Sequence, residues 1–545
     1  MENTHPTYST RGGLTPARIV ALTVIAAVAA GLLLVASGGG PERVSVPPNA
    51  RAGELELKPC TYHDRRADCG TLVVPENRRD PQSRMIALPV KRIRARSAHP
   101  GEPIFRLEGG PGKTNMEFPQ VKRFANDHDV VLVGYRGVDG SSRLDCPEVE
   151  SAMKKPRDLL GAGYRRAVKT AFRDCSTRLR ADGVDLAGYT LPQRVDDLEA
   201  ARKALGYRQV DLLSESAGTR SALIYSQRHP SAVHRSVMIG ANPPGRFLWD
   251  GATSDNQINR YARLCAQARA CRSRTEDLAA TMRAQAADLP DRWGPFPIHS
   301  GNARLGSFFG LMESSSDAAP LAAPNTIDTW LSAAEGDASG LWLLSVLTNV
   351  AFPPGQVWGD VAAAARADAA AVRRYYAAGG DRGSILGNAG TEFLFAGGDI
   401  VDTWPSNPDD DAYSRVRDSD TETLLIGGNL DGATPPANAT RQLLGHLRNG
   451  RQVVLSELGH TIDFWSYQPA ASTRLITRFL DSGRVDESLY RRRAIDFEPS
   501  GKHTSMAKLV AGVMIGLPLL AAIALFGVAA RVRRRGRLAR WAGAA

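Results

Sequence analysis

Zinc-binding patterns are missing from this chain. Its six cysteines include no repeated close pair, and no His-Glu-x-x-His occurs, so no metal site is expected. A phosphate-binding loop is missing too. Gly109-Gly110-Pro111-Gly112-Lys113-Thr114 looks like one, but Leu107 stands where that motif needs its first glycine. The formal net charge is +11, yet no basic stripe interleaved with aromatics runs along the chain, which argues against a nucleic-acid partner. Arg531, Arg533, Arg534, Arg535, Arg537 and Arg540 supply six of those charges at the extreme C-terminus, with no acid among them. These patterns require no cofactor.

What is present is a 545-residue chain of ordinary hydrophobic content, long enough for one large domain with appendages. Two uncharged apolar runs stand out. Residues 19–37 follow Arg11 and Arg18; residues 509–530 are interrupted only by Pro518 and end at the arginine cluster. A bilayer needs about 20 apolar residues per helix, so both read as spans. Positive charge outside the pair predicts both termini in the cytoplasm and the region between them beyond the membrane. The first run reads as an anchor, with a signal peptide cleaved near Val35-Ala36-Ser37 as the alternative. All six cysteines lie between the runs, in keeping with an oxidising compartment. Proximity suggests Cys60 with Cys69, Cys146 with Cys175, and Cys265 with Cys271, one connectivity among many.

The resulting organisation is a cytoplasmic N-tail at 1–18, a span at 19–37 and a Gly- and Pro-rich linker at 38–53. A core follows at 54–245, then an alanine-rich helical lid at 246–420, and the core resumes at 421–490. A linker at 491–508, the second span at 509–530 and a basic tail at 531–545 complete the chain. Within the core, apolar runs at 71–74, 85–94, 103–107, 129–134, 210–213, 236–240, 423–426 and 452–455 read as strands, the first two being 71–74 and 85–94. Helices are expected over 151–182, 194–205 and 437–448, and from the elbow to about His229. Strands alternating with helices predict a mostly parallel sheet with helices on both faces.

The most informative stretch is Ser214-Glu215-Ser216-Ala217-Gly218, between the run ending at Leu213 and a helical segment. A nucleophile on a sharp strand-to-helix turn needs small residues two before and two after it, and only Ser216 meets this. Its hydroxyl needs a base and the base needs an orienting carboxylate. Of ten histidines, His460 alone follows both a strand and a glycine, whereas His446 sits in a helix. Asp431, after the strand at 423–426, is the carboxylate; Glu457 and Asp463 lie too close to His460 in sequence to reach its outer nitrogen easily. Gly110, Ser216, Asp431 and His460 all fall just after strands, at the edge where sites of parallel sheets collect. The Ala217 and Gly110 N–H groups are the candidate oxyanion donors.

Glu108-Gly-Gly-Pro-Gly112, Tyr135-Arg-Gly-Val-Asp-Gly-Ser141, the turn at Ser216, Gly428-Asn-Leu-Asp-Gly-Ala-Thr-Pro435 and Leu458-Gly-His460 together resemble the proline iminopeptidase and tripeptidyl aminopeptidase family of α/β-hydrolases. Cys69-Gly-Thr-Leu-Val-Val-Pro75 and Asp197-Leu-Glu-Ala-Ala-Arg202 extend the resemblance to its exported branch, whose members are often disulfide-bonded. It implies an α/β-hydrolase fold with an inserted lid, and a serine hydrolase that releases short pieces from peptide N-termini. Glu108, standing where proline iminopeptidases carry His, and Glu313, the lid acid nominated to hold a substrate amine, are the candidate substrate-binding residues. The turn at Ser216 is also similar to that of carboxylesterases, so small acyl esters are an alternative substrate. A third reading is a surface binding module whose catalytic residues are vestigial. The oligomeric state has no signature in the sequence.

Overall fold

The computed structural model describes residues 41–154, 158–315, 321–351, 355–380, 383–499, 501–516 and 525–526. The expected N-tail and span at 1–37 and the basic tail at 531–545 lie outside these residues, as does much of the run at 509–530. Among the described residues no helix is long and apolar enough to cross a membrane. Residues 41–506 form one compact unit.

This unit is organised by a nine-stranded sheet. Its strands are β1 (Leu55–Tyr62), β2 (Arg65–Pro75), β3 (Met85–Ile93), β4 (Gly101–Leu107), β5 (His128–Val133), β6 (Val210–Glu215), β7 (Val233–Ile239), β8 (Glu422–Gly428) and β9 (Gly450–Leu455). Their order is β1-β2-β3-β5-β4-β6-β7-β8-β9. The first three pair antiparallel, β3 meets β5 antiparallel, and β5 through β9 run parallel. Parallel strands need both faces covered, which is why every residue of β6 is buried and why β8 is buried from Thr423 onward. Ile104, Leu213, Val237, Ile239, Leu424 and Ile426 meet Phe464, Phe479 and Leu480 in the core on one face. Helices α1 (Leu191–Ala204) and α2 (Gly218–Arg228) connect the central strands.

Three elements differ from the sequence reading. β1 precedes the strands expected from hydropathy; its LELKPCTY carries Lys58 and Pro59 and exposes several residues, as an edge strand can. It is stapled to β2 by Cys60–Cys69. The helix expected over 151–182 is two helices, Pro147–Lys154 and Ala162–Ala181, because Pro156 and Gly161 interrupt the pattern. Likewise the helix expected over 437–448 is Pro436–Gln442 followed by a single tight turn at Leu444–His446.

Between β7 and β8 the chain is almost wholly helical, with one two-residue-per-strand hairpin at Arg292–Trp293 and Phe296–Pro297. One helix of this segment, α3 (Ser339–Ala351), figures below. Disulfides also join Cys146 to Cys175 and Cys265 to Cys271, so all three bonds link the cysteines nearest in sequence. The Cys146–Cys175 bond closes a loop of 29 residues and ties the two helices after β5 together. Replacing both cysteines with serine should cost about 3 kcal/mol, read as a lowered urea midpoint at unchanged slope.

Candidate active site

The turn after β6 carries a strained serine. Ser216 has φ 48°, a left-handed value costly for a side chain other than glycine, and its N–H donates to the Ile239 carbonyl at 2.8 Å. The small neighbour is required: a Cβ on Gly218 would lie 2.5 Å from the Glu108 carbonyl oxygen. Gly109 is equally confined, since its added Cβ would meet the Ser216 Cβ at 2.9 Å. The turn therefore nests against the glycine loop after β4 and leaves the Ser216 hydroxyl half-buried at the sheet's edge.

Two loops from the other side of the sheet reach that hydroxyl. His460, at the start of the short helix α4 (Thr461–Ser466), places Nε2 3.0 Å from Ser216 Oγ. Its Nδ1 lies 2.8 Å from Asp431 Oδ2. Asp431 follows β8 and is itself held firmly: its Oδ1 accepts the Ala433 and Thr434 N–H groups, both at 2.8 Å. Its Oδ2 accepts the Thr434 hydroxyl at 2.7 Å. The two loops can approach only because Gly428 has no side chain; a Cβ there would overlap the Leu458 and Gly459 carbonyls. Serine, imidazole and carboxylate thus form one hydrogen-bonded line, although they are scattered over 244 residues of sequence.

A cavity of about 30 Å³ adjoins the turn, lined in part by Gly109, Gly110, Ala217, Gly218 and Arg194. Neither the Gly110 nor the Ala217 N–H has an acceptor among the described residues. Two unpartnered donors beside a nucleophile are what an oxyanion requires. The glycine loop is braced from below. Asn115 accepts the Glu108 N–H and donates to the Arg106 and Val133 carbonyls, while buried Asp139 accepts from Thr114, Asn115 and Tyr135.

Electrostatics favour a charged imidazole. Burial would lower His460, but the Asp431 charge and hydrogen bond, with the more distant charges of Glu313 and Glu215, raise it to about 9. For Asp431, burial works upward; the His460 charge and hydrogen bond and the Thr434 donors override it and hold the carboxyl below its usual value.

The comparisons with known proteins fall on these elements. The family described as alpha/beta hydrolase fold matches residues 102–317, and the family described as TAP-like protein matches residues 398–490. Residues 102–317 thus carry the α/β-hydrolase fold. Among curated relatives, the tripeptidyl aminopeptidase of Streptomyces lividans is 27% identical over 231 residues, 38% of this chain and 42% of that protein. The putative hydrolase YuaR of Escherichia coli is 24% identical over 240 residues, 42% of this chain and 44% of the relative. The serine protease Hip1 of Mycobacterium bovis is 27% identical over 274 residues, 46% of this chain and 52% of the relative. The chain thus spans about half the length of the curated relatives it matches.

Around this triad Glu108 and the elbow's Glu215 meet two groups that the sequence did not single out, Arg106 and Trp465. Buried Arg106 donates to the Leu107 carbonyl and to both Glu108 and Glu215, and Trp465 Nε1 donates to Glu215 at 2.6 Å. Burial and the neighbouring Glu215 outweigh Arg106 and raise Glu108 to about 7. Nothing in the local sequence links residues 106, 215 and 465; only the sheet order brings them together.

Glu313, nominated as a lid acid open to substrate, lies instead under the histidine loop and is 5% exposed. Its carboxylate accepts the N–H groups of Ile462 and Asp463, at 3.2 and 2.9 Å. Burial, then the charge of Asp463, raises it to about 8. The same stretch of chain holds the loop through its backbone: the His460 N–H donates to the Met312 carbonyl at 2.7 Å. With its carboxyl raised to about 8, Glu313 is largely neutral at pH 7 and charged only above that. Glu313→Gln should therefore leave kcat/KM at pH 7 within about twofold of wild type and raise it only above about pH 8, where the Glu313 charge no longer supports protonated His460, measured as a pH–rate profile.

Proposed function

We propose that this chain is a serine hydrolase, a peptidase that releases short pieces from peptide N-termini through an acyl-enzyme. Ser216 Oγ attacks the scissile carbonyl while its proton passes to His460 Nε2. The Gly110 and Ala217 N–H groups take the charge that develops on the carbonyl oxygen. Protonated His460, stabilised by Asp431, then hands the proton to the departing amine; water repeats the sequence on the acyl-enzyme. The observation that carries this reading is the unbroken line from Asp431 Oδ2 through His460 to Ser216 Oγ, at 2.8 and 3.0 Å.

The peptide substrate rests on the names of the relatives above and on the acidic surroundings of the site. Glu108 keeps 26% of its side chain exposed beside Ser216's turn, so it suits a substrate's ammonium group better than buried Glu313 does. Small acyl esters are the second reading, favoured by the Ser214–Gly218 turn with its Glu215. In this reading of the organisation, residues 246–420 act as a lid over a core of 54–245 and 421–490. The two apolar runs hold the protein in the cell membrane with the site on its outer side and both termini in the cytoplasm. Two observations favour that side: three disulfides and no free cysteine.

Profiling the full chain against aminoacyl, tripeptidyl and acyl-ester chromogenic substrates tests the substrate class. Tripeptidyl turnover exceeding ester turnover in kcat/KM is the expected result. Ester turnover alone would overturn the peptidase reading, and no turnover with no fluorophosphonate labelling would leave a binding module.

A further inference from the structure

The helical segment between β7 and β8 exposes an apolar face that an aqueous surface helix would not keep. α3 has no charged residue along its 13 positions, SGLWLLSVLTNVA. Surface helices ordinarily turn a charged face outward. Here Val346, Leu347 and Val350 are 39%, 42% and 51% exposed, while Leu341 and Leu344 fill the interior. Val346, Leu347 and Val350 form one exposed stripe, and Trp342, one turn before Val346 on the same line and itself buried, carries that line to about 12 Å along the helix. Trp342 extends that stripe into the hairpin at 292–297. Its ring centroid lies 5.5 Å from that of Trp293 and 4.7 Å from that of Phe296, and both hairpin rings are half-buried.

The chain itself indicates what lies against this stripe. Near its end it packs beside the start of α3: His503 Nδ1 is 2.9 Å from Thr329 Oγ1, and a Cβ on Gly340 would touch Thr504 at 3.3 Å. A few residues later the uncharged run 509–530 begins. A bilayer reached by that run is therefore within reach of the stripe. Around the stripe the chemistry matches a lipid interface. Tryptophan concentrates at the headgroup level, and exposed Arg292 of the hairpin can meet phosphates.

We propose that the α3 stripe and the adjoining aromatic hairpin rest in the interface of a lipid bilayer, so that the membrane holds the lid as well as the chain's end. The proposal rests on the membrane reading above and adds a second point of contact to it. The free surface that the lid offers to substrate is then the surface turned away from lipid.

All six native cysteines are paired, so an introduced cysteine is the sole free thiol and takes a bimane label. Full-length Leu347→Cys and Val350→Cys, with Arg208→Cys as a control whose side chain is 82% exposed, are reconstituted into vesicles of zwitterionic and anionic phospholipid. Fluorophosphonate labelling of each variant establishes that the fold is intact. Labels at 347 and 350 should be quenched about threefold or more strongly by nitroxide-bearing lipids than the control, and correspondingly less by iodide. Variants that float with vesicles yet show the control's pattern overturn the stripe while sparing the anchor. Protection from both quenchers means that a second copy or another protein segment covers the stripe, and also overturns it. A chain that fails to float removes the anchor and the stripe together.

Discussion

Ser216→Ala should lose fluorophosphonate labelling altogether and lower kcat by about 10⁵- to 10⁶-fold on whichever ester or peptide the wild type turns over. The size of the effect follows from how little else that hydroxyl does. Its recorded side-chain partner is His460 Nε2, so its removal takes away the nucleophile and leaves the turn's backbone bonds, from the Ser216 N–H to Ile239 and from Thr219 to Ser216, in place. A folded, substrate-binding but inert protein is the outcome, with residual acceleration from the oxyanion donors alone. No neighbouring serine can substitute. Ser214 is 1% exposed and its hydroxyl already donates to the Val237 carbonyl at 3.0 Å. Undiminished labelling of the variant would mean that the attacking group lies elsewhere, and the whole assignment would fall with it.

The parts of this site that were legible in the sequence are those encoded locally. The runs at Val210–Leu213, broken only by buried Asp211, and 423–426 are largely apolar because central parallel strands are covered on both faces, and such runs can be read without a structure. The small residues around Ser216 were equally legible, since the crowding by the Glu108 carbonyl that demands Gly218 acts at a fixed offset from the nucleophile. β1 was not legible: half of its residues face water, and its place in the sheet depends on pairing with β2 rather than on its own hydropathy. Nor was the Arg106–Glu215–Trp465 cluster. Its members share no spacing, and they meet because β4 lies beside β6 and α4 folds back across them. Glu313 illustrates the converse. As an acid amid helices it reads as solvent-facing, yet the backbone N–H groups of Ile462 and Asp463 accommodate it in the interior.

That placement ties the helical segment to the chemistry. Met312 accepts the N–H of His460, Ser314 donates to the Glu457 carbonyl and to Asp463, and Asp463 also accepts the Gly459 N–H. On the opposite flank Asp360 accepts the Gly112 N–H and pairs with Arg194, while Asp368 pairs with Arg220 of α2. One segment therefore grips the histidine loop, the glycine loop and the elbow helix at once. Disturbing any of these grips should be felt as a change in alignment at Ser216, without a change in the groups that react.

Asp431→Asn should lower kcat by about 10⁴-fold while leaving the protein folded and KM little changed. The hydrogen-bond pattern dictates which way the new amide points. Oδ1 is fixed by the N–H groups of Ala433 and Thr434, which must keep an acceptor, so the amide nitrogen takes the place of Oδ2. There it faces His460 Nδ1 at the 2.8 Å now spanned by the carboxylate, and a donor at that position forces the imidazole proton onto Nε2. The ring then presents a donor to Ser216 Oγ and cannot accept its proton. The lost negative charge also removes what chiefly raises His460 to about 9, so the acidic limb of the pH–rate profile should fall below its wild-type position as the plateau drops. Thr434→Val, which deletes the 2.7 Å donor to Oδ2 but keeps the carboxylate, should cost only about tenfold. If Asp431→Asn were no worse than Thr434→Val, the charge supporting His460 would have to come from Glu313 or Glu215, and Asp431 would be a turn residue alone.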